Sequence, residues 1–264
     1  MFSLIFVINL MIFWLLSILY FPIKIIGFVL GFFIGVILAW VVVFIVFFFC
    51  MIIIKYLPLN HFFRQKVFCS IAKLVIRFFR IKIVVYNSHL IPLKNKLIIY
   101  ANHKSYFDPF MISCVFPRNI TFSPKDEFYH HPFYGWFLTF CFNAFRCLKI
   151  VRRDNRETVK NINKAIDNIK RKLALVIFPE GGVITENTDQ IISSLDGAYK
   201  IAIKSEADIL PITLKGSSKM RRKCWFRLKK VELFIHPCIP FIDYQYKNTQ
   251  QINQHIKNII NSVL

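Results

Sequence analysis

Hydrophobic and polar residues are distributed unevenly along this chain. Residues 1–54 carry a single charge, Lys24, which divides a largely apolar run at 2–21 from a second at 25–54. Such runs match or exceed the roughly 20 residues a helix needs to cross a bilayer core. The Pro22-Ile-Lys24 break leaves room only for a turn. The pattern therefore predicts a tight or re-entrant helical hairpin, with one span plus an interfacial tail as the alternative. The second run is long enough to tilt, to turn near Gly31–Gly35 or to continue past the membrane. A cleaved signal peptide fits less well: the first run lacks a basic leading segment and a small-residue cleavage site, and a second apolar run follows at once.

Beyond the hairpin the period changes. At 62–80, Phe62, Phe63, Val67, Ile71, Leu74, Val75 and Phe78 form a helical stripe flanked by Arg64, Lys66, Lys73, Arg77 and Arg80. The stripe suits a membrane-surface helix or a core-packing helix with solvated basic flanks. From 81 onward, short apolar runs at 81–86, 97–101, 120–123, 148–151, 175–178, 209–214 and 231–235 read as strands. Helical patterns fall at about 109–116, 132–144, 156–172, 196–205 and 249–263. The alternation predicts an α/β fold, a layered mixed sheet flanked by helices and preceded by the transmembrane or membrane-embedded hairpin. Residues 1–56 would anchor and 57–264 would form the folded domain.

Composition agrees with a membrane-bound protein. Hydrophobic residues make up 56% and mean hydropathy is +0.49, too apolar for an ordinary soluble domain. Charge adds a partner class. The chain has 35 Lys+Arg against 14 Asp+Glu, all but Lys24 beyond residue 54, which favours nucleic acid, an acidic membrane or phosphorylated substrates. No nucleic-acid-binding signature accompanies the charge, so membrane lipids and phosphorylated small molecules are the expected partners and nucleic acid is not. The basic residues from Lys55 to Lys96 have no acid among them, which places this side on the cytoplasmic face by the positive-inside rule. Seven Lys/Arg crowd the run 219–230. That run suits headgroups or cofactor phosphates, with Trp225 and Phe226 dipping into the interface, or else a solvated loop. The seven cysteines form no C-x-x-C pair and the histidines lack zinc spacing, so free thiols in a reducing compartment and no metal are expected.

Candidate chemistry centres on Asn102-His-Lys-Ser-Tyr-Phe-Asp-Pro-Phe110. A buried strand ends at Ala101, and Asp108-Pro109 reads as a helix start with Asp at the cap. His103 and Asp108 can turn towards each other there, as a general base whose tautomer a carboxylate holds. The bland alternative is a loop histidine beside an N-cap.

The same residues resemble the N-H-x-S-x-x-D motif of the glycerolipid acyltransferase family, with Asn102, His103, Ser105 and Asp108 matching in place. Further matches follow in the family's order. Lys125-Asp-Glu-Phe128 with Pro132-Phe-Tyr-Gly-Trp136 is similar to the K-x-E-L…P-F-x-G-W segment. Ile150 to Arg156 is similar to the second motif, with Arg153 on its phosphate-binding arginine. Phe178-Pro-Glu-Gly181 matches the start of the third motif, Leu210-Pro-Ile212 the fourth, and Gly197-Ala198 also fits. The resemblance covers about residues 70–240.

It implies acyl transfer from acyl-CoA or acyl-carrier protein to a lysophospholipid acceptor, most simply 1-acylglycerol 3-phosphate, with these thioesters as co-substrate and no bound cofactor. His103 would deprotonate the acceptor hydroxyl and Asp108 would balance the imidazolium. Arg153 would hold phosphate, and Lys125 would hold phosphate or polarise the carbonyl, unless it is a solvated lysine. Glu180, displayed with Gly181 at the sheet edge, would hold an acceptor hydroxyl or organise the loop. Asn102 and Ser105 would belong to the substrate-binding set, Ser105 more naturally as a loop hydrogen-bonding residue than as a nucleophile. One departure stands out: Gly182-Val183 replaces the family's Thr-Arg, which removes an expected phosphate-binding cation. Arg152, Arg153, Arg156 or Lys200 would have to compensate, or the acceptor differs.

Overall fold

The computed structural model describes residues 1–149, 155–183, 187–221 and 227–264. Two apolar helices come first, α1 (Phe2–Tyr20) and α2 (Lys24–Tyr56), each long and apolar enough to cross a membrane. Proline ends α1 because it has no N–H for the next helical bond. The two helices fold back on each other as an antiparallel hairpin. Glycine and alanine recur every fourth residue on the buried face of α2, at Gly27, Gly31, Gly35 and Ala39. The contact is close: a β-carbon at Gly31 would fall 1.6 Å from Ser17 Oγ, and one at Gly27 would fall 2.7 Å from the Ser17 carbonyl. Helix α2 runs unbroken through Gly31–Gly35, where a turn was one of three expectations. At 33 residues it is about 50 Å long, well beyond a hydrocarbon core of about 30 Å.

The lower end of α2 is tied to the rest of the chain by α3 (Phe62–Phe78). Arg64, expected on a solvated flank, is buried instead. Its guanidinium donates to the carbonyls of Ile54 (2.5 Å) at the end of α2 and Ala144 (2.6 Å). Orphan carbonyls at helix C-termini attract a cation, and burial lowers the Arg64 pKa to about 10. Lys66, Lys73, Arg77 and Arg80 do remain exposed. The helix packs: Val67 and Leu74 join the hairpin-side core, and Ile76 joins the core under the sheet.

Among the described residues, six strands form one mixed sheet: β1 (Ile81–Tyr86), β2 (Leu97–Ala101), β3 (Ile120–Phe122), β4 (Ala174–Ile177), β5 (Asp208–Lys215) and β6 (Lys229–Ile235), in the order β1-β6-β5-β2-β4-β3. Only β5 and β6 pair antiparallel; the other four pairings are parallel. Central β2 is buried along its whole length, as a strand covered on both faces must be. Its alternate residues divide between two cores. Leu97, Ile99 and Ala101 face α3 and α4 (Asp108–Val115), while Ile98 and Tyr100 face α6 (Asn155–Lys170), α7 (Lys200–Ser205) and α8 (Thr249–Asn261). The remaining helix, which follows α4, is α5 (Gly135–Ala144); its Phe137 and Phe140 rings pack at a tilt against Phe44 and Phe48 of α2.

The expected strands at 81–86 and 97–101 have the observed bounds. The run at 148–151 is different. Leu148 and Lys149 lie outside any strand, Leu148 only donating its N–H to the Phe122 carbonyl at 2.9 Å, and 150–151 lie outside the described residues. In the basic run 219–230, residues 222–226, including Trp225 and Phe226, are likewise outside. Lys229, expected to face headgroups or solvent, is buried, with its ammonium donating to the Phe79 and Arg227 carbonyls.

Candidate active site

Parallel strands bring their C-terminal ends to one edge, and the loops beyond them carry the candidate chemistry. After β2 the chain leaves the sheet and must satisfy its backbone by other means. Asn102 starts this. Its amide donates to the Leu214 and Asp189 carbonyls at 2.9 and 2.8 Å and accepts from the Leu214 N–H at 2.8 Å. It extends the β2–β5 pairing by a side chain and is fully buried, so it braces the loop and offers nothing to a substrate.

His103 comes next. Its Nδ1 lies 3.0 Å from Asp108 Oδ2, and its ring stacks on Phe178 with centroids 4.0 Å apart. Only 13% of the side chain is exposed. A carboxylate there accepts, so in the neutral ring Nδ1 carries the proton and Nε2 the lone pair. Nε2 has no hydrogen-bond partner among the described residues.

Asp108 is the first residue of α4 rather than its cap, and Pro109 occupies the first turn. Its carboxylate turns back to the loop instead of forward to the helix. Oδ2 also accepts from the N–H groups of Lys104 (2.8 Å) and Ser105 (2.9 Å), and Oδ1 accepts from the Ser217 hydroxyl (2.5 Å). Three of these donors are neutral, so they fix the carboxylate without neutralising it. Ser105 is 2% exposed and its hydroxyl accepts from the Phe107 N–H at 3.2 Å, a loop contact.

Glu180 differs from its expected display at the sheet edge. The turn after β4 points its carboxylate inward, with no exposed side-chain area. Oε1 accepts from the His103 N–H at 2.7 Å and Oε2 from the Lys104 ammonium. Burial raises the Glu180 pKa, and Lys104 and His103 pull it back. Of its two expected roles this geometry serves the organisation of the loop. Gly181 enables the turn: it has φ 75° and donates its N–H to the Phe178 carbonyl at 3.1 Å.

Lys125 sits just ahead of a 3-10 turn at Asp126–Phe128, near Tyr106 through the Phe128 ring, and its side-chain end lies on Gly182. Arg153 and Arg152 lie outside the described residues, as does the side chain of Arg156. Lys200, exposed, begins α7 on the far face of the sheet.

Two members of this cluster were missed by sequence reasoning. Lys104 lies inside the quoted motif, but a lysine signals solvent until a buried partner is known. Ser217, fully buried, follows β5 in a loop held by Asp189, which accepts from the Gly216 and Ser218 N–H groups at 2.7 and 2.8 Å. It lies 109 positions from Asp108, and nothing local marks it.

A mixed α/β sheet with an apolar hairpin ahead of it and a histidine–carboxylate pair at its strand ends defines a protein of the acyltransferase class. The chain belongs to that family: the Acyltransferase family model matches residues 82–215, just over half of its length. A 1-acyl-sn-glycerol-3-phosphate acyltransferase of Saccharomyces cerevisiae is 30% identical over 128 residues, covering 48% of this chain and 41% of that protein. One from Borreliella burgdorferi is 26% identical over 177 residues, covering 65% and 68%. The chain spans about half the length of the first curated relatives it matches. The crystal structure of the 1-acyl-sn-glycerophosphate (LPA) acyltransferase PlsC from Thermotoga maritima superposes with a TM-score of 0.58 at 19% identity, over 81% of this chain and 85% of that one. That likeness concerns the fold.

Proposed function

We propose that this protein transfers a fatty acyl chain from an acyl thioester, acyl-CoA or acyl-carrier protein, to the free hydroxyl of 1-acylglycerol 3-phosphate, giving phosphatidic acid. The observation that carries the reading is His103, clamped through Nδ1 to Asp108 and open at Nε2. Nε2 takes the hydroxyl proton as the acceptor oxygen attacks the thioester carbonyl. The tetrahedral intermediate then collapses, the C–S bond breaks, and the thiolate leaves with the proton returned by the imidazolium. Asp108 stabilises that imidazolium throughout. No acyl-enzyme forms, in keeping with the inward-facing Ser105. Arg153 and Lys125 are the phosphate ligands in this scheme. Asn102, Glu180 and Gly181 hold the loop that carries His103. The hairpin anchors the chain in the bilayer with the site on the cytoplasmic face, where membrane lipids supply the acceptor and thioesters are at hand. The names of the relatives and an Nε2 without a partner among the described residues support the reading together.

The test is purified full-length protein in detergent, given labelled acyl-CoA or acyl-carrier protein and a panel of acceptors. His103→Ala should lower turnover by about 10²–10⁴-fold, the usual worth of a general base, with an unchanged melting temperature. Equal product from wild type and variant would refute the enzymatic reading. Turnover confined to phosphate-free acceptors would instead refute the phosphatidic acid assignment.

A further inference from the structure

Lys125 follows β3 and Gly182 lies in the turn after β4, and these two parallel neighbours deliver both residues to the same edge of the sheet. The end of the lysine lies directly on the glycine. A β-carbon at position 182 would stand 2.5 Å from Lys125 Cε and 2.7 Å from Nζ, well inside the roughly 3.5–4.0 Å of ordinary contact. Among the described residues beyond the glycine's own chain neighbours, the nearby atoms all belong to this one side chain, Cδ at 4.0 Å being the next. The berth therefore exists only because residue 182 has no side chain. Of the lysines that follow β2 and β3, Lys104 is consumed by Glu180. The Lys125 ammonium forms no hydrogen bond or ion pair among the described residues. Among the described residues it is a cation lying on the Gly182 turn with no anion to answer it.

We propose that Gly182 is a specificity-determining residue: by omitting a side chain it stations Lys125 over the Glu180–Gly182 turn, where the ammonium receives the phosphate monoester of the acceptor. The inference rests on the acyltransferase reading above and deepens it. It also accounts for the departure noted at Gly182-Val183. With Val183 uncharged, the glycine that accompanies it admits a cation from the neighbouring strand end. A side chain at 182 would push that ammonium aside and return it to solvent.

The position is suited to a clean substitution. Gly182 does not have the left-handed φ of Gly181 and Gly216, and only the mobile end of a lysine must give way. Gly182→Ala, Lys125→Met and the double variant are compared with wild type in detergent, with KM and kcat measured for 1-acylglycerol 3-phosphate, for its phosphate-free analogue 1-acylglycerol, and for acyl-CoA. Gly182→Ala should raise the KM for the phosphate-bearing acceptor about tenfold, the lower range for a charge-assisted contact, with kcat and melting temperature close to wild type. Its KM for acyl-CoA should not move, and its preference over the phosphate-free acceptor should narrow. Lys125→Met should do the same, and the double variant no more than either alone, because both remove one contact. An unchanged acceptor KM in Gly182→Ala overturns the proposal, as do single effects that multiply in the double variant. A rise in the KM for acyl-CoA alone assigns the ammonium to the donor phosphates and also overturns it. If wild type fails to acylate 1-acylglycerol 3-phosphate at all, it is the phosphatidic acid assignment that fails, and this proposal falls with it.

Discussion

The N-terminal hairpin and the loop at 102–108 meet the same demand, a backbone that must be satisfied without water, in opposite ways. In α1 and α2 the interior N–H and C=O groups bond within their own helix, and the polar contacts between the helices are side-chain additions near the turn: Trp14 Nε1 donates to the Phe28 carbonyl at 2.8 Å and Ser17 Oγ to the Gly27 carbonyl at 3.0 Å. Their contact is close approach, with Gly27, Gly31, Gly35 and Ala39 letting α1 lie on α2. The loop has no such internal partner. Its N–H groups are taken up by two buried carboxylates, Asp108 and Glu180, each answered in turn by a buried side chain, Ser217 or Lys104. Small residues suffice where secondary structure closes the polar account; where it does not, a network is required, and it also fixes the orientation of His103.

Removing a partner from the network should have the largest effect. Lys104→Met leaves the Glu180 carboxylate buried without its ammonium, which costs about 3–5 kcal/mol. The loss should depend on pH with a definite sign. Burial already raises the Glu180 pKa and Lys104 opposes it. Without Lys104 the folded state keeps a proton that the unfolded chain releases above its ordinary value of about 4.3. The variant is then least impaired at acid pH and loses stability as pH rises through the raised value. Chemical denaturation at about pH 5 and about pH 7.5 reads the difference, and an equal deficit at both would break the account of the network.

Filling the hairpin contact should cost less. Gly31→Leu places its side chain on Ser17 and should destabilise the α1–α2 packing by about 1–3 kcal/mol, the usual range for overpacking. The sheet and its site should stay intact, so detergent-solubilised activity should fall far less than in Lys104→Met. Comparable losses would mean that hairpin and site are a single cooperative unit, with Arg64 as the joint. Smallest is Ser217→Ala. Loss of one hydrogen bond to Asp108 should lower kcat about tenfold while leaving the KM values alone. Ser217→Cys, a weak donor, should fall between. An unchanged kcat would show that the three donors on Oδ2 hold Asp108 by themselves.

Much of this architecture was legible from residue order. The runs at 81–86 and 97–101 became strands with those bounds because a short apolar run rich in β-branched residues is a local signal. The hairpin followed from two apolar runs and a proline between them. His103 and Asp108 were legible as a pair because a strand exit and a helix start five residues apart leave few ways to turn. Other features had no local signal. Arg64 and Lys229 carry the composition of a solvated flank and are buried on carbonyls. Glu180 occupies a turn whose local geometry is right, but the direction of its carboxylate is set by Lys104, 76 residues away.

The sequence by itself determined most of the helices and strands and the hairpin, though not the run at 148–151, together with the family to which they belong and the residue types gathered at the strand ends. Tertiary structure alone decided which partner each of those residues takes: Asn102 with Leu214 and Asp189, Asp108 with Ser217, Glu180 with Lys104, and Lys125 with the bare backbone of Gly182. The reason is physical. Periodicity reports the face on which a side chain leaves its own element. The partner a buried charge finds depends on which distant strand end the sheet order places beside it.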